Sequence, residues 1–257
     1  MLIVNELYKI NNVSLEVKLI NNNAKKFVSP LVMLHEGLGS VALWKDFPEK
    51  LANKLNRKII VYSRKGMGKS SAINEPRTVN FMHVEAKHYL KNIIEHYCEQ
   101  EPILFGHSDG ASIALIYAGL NTSIHSIIVE APHLMVEELT IKEISKIKLQ
   151  WETSNLREKL EKYHDDVDSA FNGWCNIWLE EEFKKWNIEE YIKKINTPLF
   201  AIQGEDDQYG SLRHINLLKK LLKKSFKKLI IKNCKHSPHQ EYPNLIIERL
   251  SKYLTNL

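Results

Sequence analysis

The stretch LFGHSDGASIAL, from Leu104 to Leu115, places one serine midway between two glycines. Ser108 follows Gly106 by two residues and precedes Gly110 by two residues, in a G-x-S-x-G pattern. The apolar run PILF comes before the pattern, and the alanine-rich run ASIALIYA follows it. This context predicts a strand that turns sharply into a helix, with the serine raised at the turn.

Such a turn accounts for both glycines and for an exposed hydroxyl. Side chains at Gly106 and Gly110 would collide in so tight a turn, and we expect His107 to pack beneath it. The start of the following helix supplies backbone N–H groups and the positive end of the helix dipole, which can stabilise an oxyanion. Ser108 is therefore the candidate nucleophile.

The rest of the chain alternates short apolar runs with helical patterns. The predicted strands are Val13–Ile20, Leu31–Leu34, Lys58–Tyr62, PILFG, SIIVEAP, PLFAIQG and KKLIIKN. The predicted helices include FPEKLANKL, FMHVEAKHYLKNIIEHYC, ASIALIYAG and PNLIIERLSKYL. Continuous apolar strands that alternate with helices indicate an α/β fold with a parallel sheet covered on both faces.

One segment breaks this alternation. More than sixty residues, helical in pattern, separate the strand that ends near Ala131 from the strand that starts near Pro198. We expect residues 1–131 and 198–257 to form the core and residues 132–197 to form an inserted helical cap; helices covering a sheet edge are the alternative. The segment holds four of the five tryptophans: Trp151, Trp174, Trp178 and Trp186.

A serine nucleophile needs a base, and the base needs a carboxylate that orients it. A sharp strand-to-helix turn that carries the nucleophile is called a nucleophile elbow, and in proteins with such an elbow the acid follows the serine and precedes the histidine along the chain. The loops after the last two predicted strands read EDDQYG and CKHSPHQE, and both follow the carboxyl ends of strands, where the ligands of open α/β sheets bind. The candidates are Asp206 or Asp207 as the acid, and His236 or His239 as the base.

These stretches resemble the α/β-hydrolase superfamily over nearly the whole chain. LHEGLGSVALW resembles its oxyanion loop, SRKGMGKSS its R-G-x-G-x-S loop, GHSDGA its elbow, GEDDQYG its acid loop and KHSPHQE its terminal histidine loop. The resemblance implies an α/β-hydrolase fold, with a mostly parallel sheet flanked by helices and an inserted helical cap. It also implies a catalytic triad of Ser108, Asp207 and His236.

Spacing selects between the neighbouring candidates. Asp207 stands three residues after Gly204, as in the family's acid loop, and this favours it over Asp206. His236 stands five residues before Glu241, and this favours it over His239.

The resemblance further implies an oxyanion hole formed by the backbone N–H groups of Leu38 and Asp109. One position departs from the family pattern. The family usually has His-Gly before the first donor, whereas this chain has Glu36 and Gly37, with His35 one place earlier. A carboxylate aimed into the hole would repel the oxyanion. We expect Glu36 to point away or to bind loop amides; a substrate contact is the alternative.

The side chain of Asp109 gives the elbow an uncommon form, G-x-S-D-G. It resembles the valacyclovir hydrolase (biphenyl hydrolase-like) branch, in which this aspartate holds the α-amino group of an aminoacyl ester, although Ala111 stands where that branch often has glycine. The resemblance implies that Asp109 binds substrate; a favourable place at the helix dipole is the alternative. Trp174 and Trp178 are expected to line an apolar acyl pocket, with packing inside the cap as the alternative.

The resemblance implies a serine hydrolase that cleaves a small carboxylic ester, with an aminoacyl ester as one form, through an acyl-enzyme. A C–C bond hydrolase of ring-cleavage products and an acyl-homoserine lactonase are alternatives. A hydrolase-fold receptor is the non-enzymatic alternative, against which the complete triad argues. We expect no cofactor. The chain has neither H-E-x-x-H nor clustered Cys and His spacing, so we also expect no metal.

Composition fits one large domain of a globular protein, with 44% hydrophobic and 26% charged residues among 257. The net charge of +5 is modest, and the basic run Lys219–Lys232 is predicted to be a solvated helix face that continues into a strand. Cys98, Cys175 and Cys234 are too scattered for a disulfide framework. The chain shows no signal peptide and no apolar run of about 18 residues. We expect a cytoplasmic monomer or homodimer without a nucleic-acid or membrane partner.

Overall fold

A computed structural model describes residues 1–21, 28–222 and 225–257. Within these ranges, eight strands form one sheet in the order β1-β2-β4-β3-β5-β6-β7-β8. The strands are β1 (Leu2–Ile10), β2 (Val13–Asn21), β3 (Leu31–Leu34), β4 (Ile59–Tyr62), β5 (Ile103–His107), β6 (Ser126–Glu130), β7 (Leu199–Gly204) and β8 (Phe226–Ile231). Strands β3 to β8 run parallel to one another, whereas β1 and β2 pair antiparallel. The predicted, mostly parallel sheet is confirmed.

Helices flank this sheet on both faces. The α-helices of the described ranges are α1 (Phe47–Leu55), α2 (Phe81–Val84), α3 (Lys91–Tyr97), α4 (Asp109–Leu120), α5 (Glu138–Thr153), α6 (Leu156–Glu161), α7 (Val167–Leu179), α8 (Glu189–Ile192), α9 (Arg213–Leu221), α10 (Pro238–Glu241) and α11 (Pro243–Thr255). A π-helical segment, Glu85–Leu90, joins α2 to α3. The long amphipathic helix predicted there is therefore one continuous element.

The sheet divides the apolar core into two layers, which explains the continuous apolar strands. In β3, Val32 and Leu34 belong to the cluster that contains α4, whereas Leu31 and Met33 belong to the cluster that contains α1 and α11. Successive side chains of a strand point to opposite faces. Because both faces are covered, every position of the strand is apolar.

The two edges of the sheet differ from the sequence prediction. The sequence does not predict β1, whose side chains are mostly exposed and show neither alternation nor a buried run. This strand forms by backbone pairing with β2, from Leu2 opposite Asn21 to Ile10 opposite Val13. At the other edge β8 is found as predicted, but it is not a buried strand: only Ile231 is buried.

Helices α5 to α8 lie between β6 and β7, in the segment predicted to form a cap. Helices α5, α6 and α7 are chain neighbours that pack together, whereas α8 packs on core helix α4. A β-carbon added to Gly119 of α4 would lie 2.5 Å from the carbonyl oxygen of Tyr191 in α8. One helix of the predicted cap, α8, therefore packs directly on the core. The division of the chain at residues 131 and 198 stays a prediction.

The basic run lies at the surface where the structure describes it. Lys219 and Lys220 are exposed at the end of α9, and Lys227 and Lys228 are exposed on β8, as expected of a solvated helix face followed by a strand. Residues 223–224 of this run lie outside the described residues. Among the described helices, none combines the length and apolar character needed to cross a membrane.

Candidate active site

The turn between β5 and α4 is as tight as its glycines predict. Ser108 has φ 55° and ψ −117°, a backbone conformation that residues other than glycine rarely adopt. A β-carbon on Gly106 would lie 2.3 Å from the Gly110 carbonyl oxygen, and one on Gly110 would lie 2.2 Å from the Leu34 carbonyl oxygen. The Ser108 N–H donates to the Glu130 carbonyl of β6 at 2.9 Å, so the elbow is also held by the neighbouring strand.

The structure brings Ser108, His236 and Asp207 into one hydrogen-bonded chain. His236 Nε2 lies 3.0 Å from Ser108 Oγ. His236 Nδ1 lies 2.8 Å from Asp207 Oδ1 and 2.9 Å from Asp207 Oδ2. The three side chains follow β5, β8 and β7, so the carboxyl edge of the sheet assembles groups that are far apart in the sequence. This arrangement matches the geometry of a nucleophile, a base and an orienting acid.

Hydrogen bonds keep Asp207 ionised. Oδ1 accepts from the backbone N–H of Tyr209 at 2.8 Å and of Gly210 at 3.2 Å, and Oδ2 accepts from Gln203 Nε2 at 2.7 Å. Burial opposes ionisation, but the neighbouring His236 and the Tyr209 N–H outweigh it and lower the pKa of Asp207. An ionised Asp207 accepts a hydrogen bond from the Nδ1–H of His236, which keeps the proton on Nδ1 and leaves Nε2 free to take the serine proton.

The competing candidates lie elsewhere. Asp206 is exposed, and its N–H donates to the carbonyl of Cys234 at 2.9 Å. His239 is buried, and its Nδ1 lies 2.6 Å from Glu130 Oε1. Neither contacts Ser108 in the described part of the chain.

Two residues that line the cavity beside Ser108, Leu38 and Asp109, have backbone N–H groups without partners in the described residues. Over the described ranges, neither the Leu38 N–H nor the Asp109 N–H donates a hydrogen bond within the chain. Both are therefore free to bind a substrate oxygen, and their role as an oxyanion hole stays a prediction.

Arg64 supports the oxyanion loop from behind. Its guanidinium donates to the carbonyl oxygens of His35 and, at 2.8 Å, of Glu36. The backbone N–H of Arg64 donates to His35 Nε2 at 3.0 Å. These contacts orient the peptide planes that lead to Leu38. The sequence offers no sign of them, because the partners are 28 or 29 residues apart.

His164 supports the same loop from the α6–α7 connection. Its Nδ1 accepts from the Gly68 N–H at 3.0 Å, so its Nε2 carries the proton that is donated to the Leu38 carbonyl at 3.0 Å. Burial lowers the pKa of His164, in keeping with this neutral form. Sequence reasoning missed His164 because 126 residues separate it from Leu38.

Glu36 pairs with His107 and not with loop amides in the described residues, so the other expected arrangement, a carboxylate that points away from the hole, stays a prediction. Glu36 Oε2 lies 3.1 Å from His107 Nδ1, and the Glu36 side chain is 23% exposed. His107 is completely buried beneath the elbow, as predicted, and its Nε2 lies 2.8 Å from the carbonyl oxygen of His236. Burial opposes both charges, but the contact holds the pKa of Glu36 well below its usual range and raises the pKa of His107 to about 9.

A cavity of about 240 Å³ opens over Ser108. The loops of Glu36, Leu38 and His236 form one side. Helices α5, α6 and α7 contribute Thr140 and a set of apolar side chains: Ile144, Ile147, Leu156, Leu160, Trp174 and Trp178.

The four tryptophans of the inserted segment divide into two pairs. Trp174 and Trp178 line the cavity, as expected of a pocket wall. Trp151 stacks on Phe171 with ring centroids 3.9 Å apart, and Trp186 packs between Phe183 and Trp178. A contact of Trp174 or Trp178 with substrate stays a prediction.

The Asp109 carboxylate is 1% exposed and already faces a cation of the protein. Trp178 Nε1 donates to Oδ1 at 3.2 Å, and Arg64 Nη2 lies 3.8 Å from Oδ2. Burial raises the pKa of Asp109, against the attraction of Arg64 and Arg77. Arg64 thus lies within ion-pair distance of Asp109 Oδ2, which accepts no hydrogen bond from the described residues, and the binding role of Asp109 stays a prediction.

One group of side chains in the described residues has the composition of a metal site. The ligand atoms of His107, Glu130 and His239 lie within 4.8 Å of one another, and all three residues are buried. Both ring nitrogens of His107 already face Glu36 and the His236 carbonyl, and His239 Nδ1 already faces Glu130. Within the group, His239 is therefore hydrogen-bonded to Glu130, and His107 is hydrogen-bonded to Glu36 and the His236 carbonyl outside it.

The chain belongs to the alpha/beta hydrolase fold family, whose model matches residues 29–172. The predicted fold class is confirmed, and the protein is a hydrolase of this family. A proline iminopeptidase of Lactobacillus crispatus (strain ST1) is 25% identical over 266 residues, which cover 88% of this chain and 90% of that protein.

Solved structures share the fold over the whole length. The structure of a proline iminopeptidase from Mycobacterium smegmatis has a TM-score of 0.76 at 14% identity and covers 98% of both chains. The structure of a serine hydrolase involved in carbazole degradation has a TM-score of 0.75 at 16% identity and covers 100% of both chains. The resemblance to the valacyclovir hydrolase branch stays a prediction.

We expect paired variants to separate the acid and the base from their neighbours. Asp207→Asn and His236→Ala should each lower kcat by about 10⁴-fold, because the base loses its orientation or is removed. Asp206→Asn and His239→Asn should each stay within about tenfold of the wild type, since neither contacts the nucleophile. Steady-state kinetics on one chromogenic substrate checks this; a costly Asp206 or His239 variant would reverse the assignment.

We expect Asp109→Asn to lower kcat/KM equally for an α-aminoacyl ester and for its des-amino analogue. Asparagine still accepts from Trp178 but removes the charge that lies 3.8 Å from Arg64, and Arg64 supports the loop of Leu38, so both substrates should lose about tenfold, or roughly 1.4 kcal/mol. The two esters are compared in wild type and variant at a pH where the amine is charged. A loss confined to the amino substrate would instead assign Asp109 to the substrate amine.

Proposed function

We propose that the protein is a serine hydrolase in which Ser108 is the nucleophile, His236 the general base and Asp207 the orienting acid. The observation that carries the proposal is the unbroken hydrogen-bonded chain from Ser108 Oγ through His236 to Asp207 at the mouth of a cavity. The two unpartnered N–H groups of Leu38 and Asp109 support the same reaction, since they can receive an oxyanion.

In the first half of the reaction, Ser108 Oγ attacks the carbonyl carbon of the substrate while its proton passes to His236 Nε2. The carbonyl oxygen becomes an oxyanion that binds the N–H groups of Leu38 and Asp109. The tetrahedral intermediate then collapses. The bond to the leaving group breaks, and His236 gives the leaving group its proton.

In the second half, water attacks the acyl-enzyme as His236 removes its proton. A second oxyanion forms in the same hole. Its collapse releases the carboxylic acid, and His236 returns a proton to Ser108. The ionised Asp207 stabilises the imidazolium form of His236 in both halves, which is why its hydrogen-bonded position matters.

A small carboxylic ester is the substrate class that we propose. The cavity of about 240 Å³ is smaller than the roughly 300–1,000 Å³ of pockets for drug-sized ligands, and its wall is apolar. These features favour a short acyl group.

Release of an N-terminal residue from a peptide is the second candidate. It is favoured by the relative from Lactobacillus crispatus, which is a proline iminopeptidase and aligns along 88% of this chain. The same serine chemistry cleaves esters and amides, so the choice depends on the leaving group and on recognition of the amine.

We expect Ser108→Ala to abolish covalent labelling by a fluorophosphonate probe, because the probe reacts with an activated serine. Circular dichroism should be unchanged. Ser237→Ala is the matched control, since Ser237 also lines the cavity, and this variant should label like the wild type. Labelling of Ser108→Ala, or loss of labelling in Ser237→Ala, would contradict the assignment.

We expect p-nitrophenyl acetate and butyrate to be cleaved with higher kcat/KM than the octanoate ester, because the cavity is small. Proline p-nitroanilide is measured beside them as the amide. Higher kcat/KM for this amide than for the short esters would select the second candidate.

A further inference from the structure

Three loops around the nucleophile are joined through the ring of His107. Its Nδ1 lies 3.1 Å from the Glu36 carboxylate in the oxyanion loop, and its Nε2 lies 2.8 Å from the carbonyl oxygen of His236. His107 itself is the last residue of β5 and the direct neighbour of Ser108. One buried ring therefore connects the loops that carry the nucleophile, the base and an oxyanion donor.

Hydrogen-bond chemistry determines the charge of this ring. A backbone carbonyl oxygen can only accept, and so can an ionised carboxylate. Because both ring nitrogens of His107 face such acceptors, both carry a proton and the ring is an imidazolium. His35 shows the opposite case in the same loop: its Nε2 accepts the Arg64 N–H, so that ring is neutral.

The surroundings favour the charged form. Burial opposes it, but the hydrogen bond and charge of Glu36 and the charge of Glu130 raise the pKa of His107 to about 9. The rings of His236 and His239 have centroids 5.1 and 5.0 Å away. The groups that face His107 are Glu36, Glu130, His236, His239 and the indole of Trp44.

We propose that His107, doubly protonated and paired with Glu36, is a positioning residue that holds the backbone of His236 in place for catalysis. The inference rests on the proposed serine hydrolase function. The His236 ring must keep its Nε2 in line with Ser108 Oγ, and a fixed backbone carbonyl limits its movement. The preceding residue of the same loop is held separately, because the Lys235 N–H donates to the Glu241 carboxylate at 3.1 Å.

The pairing also explains how the chain tolerates a carboxylate in the oxyanion loop. His107 neutralises Glu36, so the developing oxyanion meets a compensated pair in place of a bare negative charge. In turn, Glu36 neutralises His107, so no net positive charge opposes protonation of His236 during the reaction.

Two substitutions at one position test the contact with His236. An asparagine amide nitrogen can occupy the place of ring Nδ1, and a glutamine amide nitrogen that of Nε2. His107→Gln thus keeps a donor to the His236 carbonyl, whereas His107→Asn keeps only the donor to Glu36. We expect His107→Asn to lower kcat and the fluorophosphonate labelling rate by about 10²-fold, as for a misplaced catalytic group, with KM nearly unchanged. His107→Gln should stay within about tenfold of the wild type.

His239→Asn is the matched control, because His239 is an equally buried histidine that pairs with Glu130. It should lower the melting temperature as much as the His107 variants and leave kcat within about tenfold. The proposal would be overturned if His107→Asn and His107→Gln lost kcat equally. It would also be overturned if the loss of kcat in all three variants were proportional to the fall in melting temperature. A wild-type protein that does not label would instead refute the proposed function.

Nitrogen NMR of the wild type tests the charge without relying on a folded variant. Both ring nitrogens of His107 should remain protonated from pH 6.5 to nearly pH 9. Because the folded-state pKa is raised, its stabilising contribution is complete below pH 6.5 and is lost as the pH rises through about 9. The stability of the wild type should therefore fall more steeply over this range than that of Glu36→Gln. A neutral His107 ring at pH 7 would overturn the proposal.

Discussion

The tight approach of β5, α4 and β3 at the elbow is the constraint on which the candidate site depends. Gly110 lies so close to the Leu34 carbonyl that any side chain would push the helix away from the sheet. This approach holds Ser108 in its unusual backbone conformation and brings the start of α4 beside the oxyanion loop. The candidate nucleophile and the N–H group of Asp109 thus lie at one tight turn, beside the loop of Leu38, in an arrangement that could stabilise an oxyanion.

Buried charge around the elbow is arranged in pairs. Glu36 faces His107, Asp109 faces Arg64, and Glu130 faces His239, each across two different parts of the chain. A buried charge without a partner lowers the stability of the fold, so removing one member of a pair leaves the other charge uncompensated. These pairs connect the loops of the candidate site to the sheet.

The segment between β6 and β7 contributes most of the apolar lining of the cavity above the elbow. Helices α5 to α7 supply these side chains, including Trp174 and Trp178. Members of one fold act on different substrates, so the fold alone does not fix the substrate. In the proposed reaction, the size and polarity of this lining are the features on which the choice of acyl group would depend.

Sequence patterns predicted the class of fold and the candidate nucleophile, and the resemblance to the α/β-hydrolase superfamily selected the other two candidates. The glycines around Ser108 and the continuous apolar strands are local signals, because each reflects a steric or packing rule that acts within a few residues. Asp207 and His236 were chosen over their neighbours by a spacing that the superfamily shares. Strand β1 left no such signal, since its exposed side chains are not selected by a core. The sequence also predicted β8 as buried, although it lies at the edge of the sheet.

Only the tertiary structure decided how the oxyanion loop is supported and where its carboxylate goes. Arg64 and His164 contact carbonyl groups of that loop, and Glu36 meets His107, which lies 71 residues further along the chain. No periodicity or spacing links such residues. Their pairing follows from the parallel alignment of the strands, which brings the ends of distant segments to one edge of the sheet. Buried polar groups at this edge form hydrogen bonds with the neighbours that the fold places beside them.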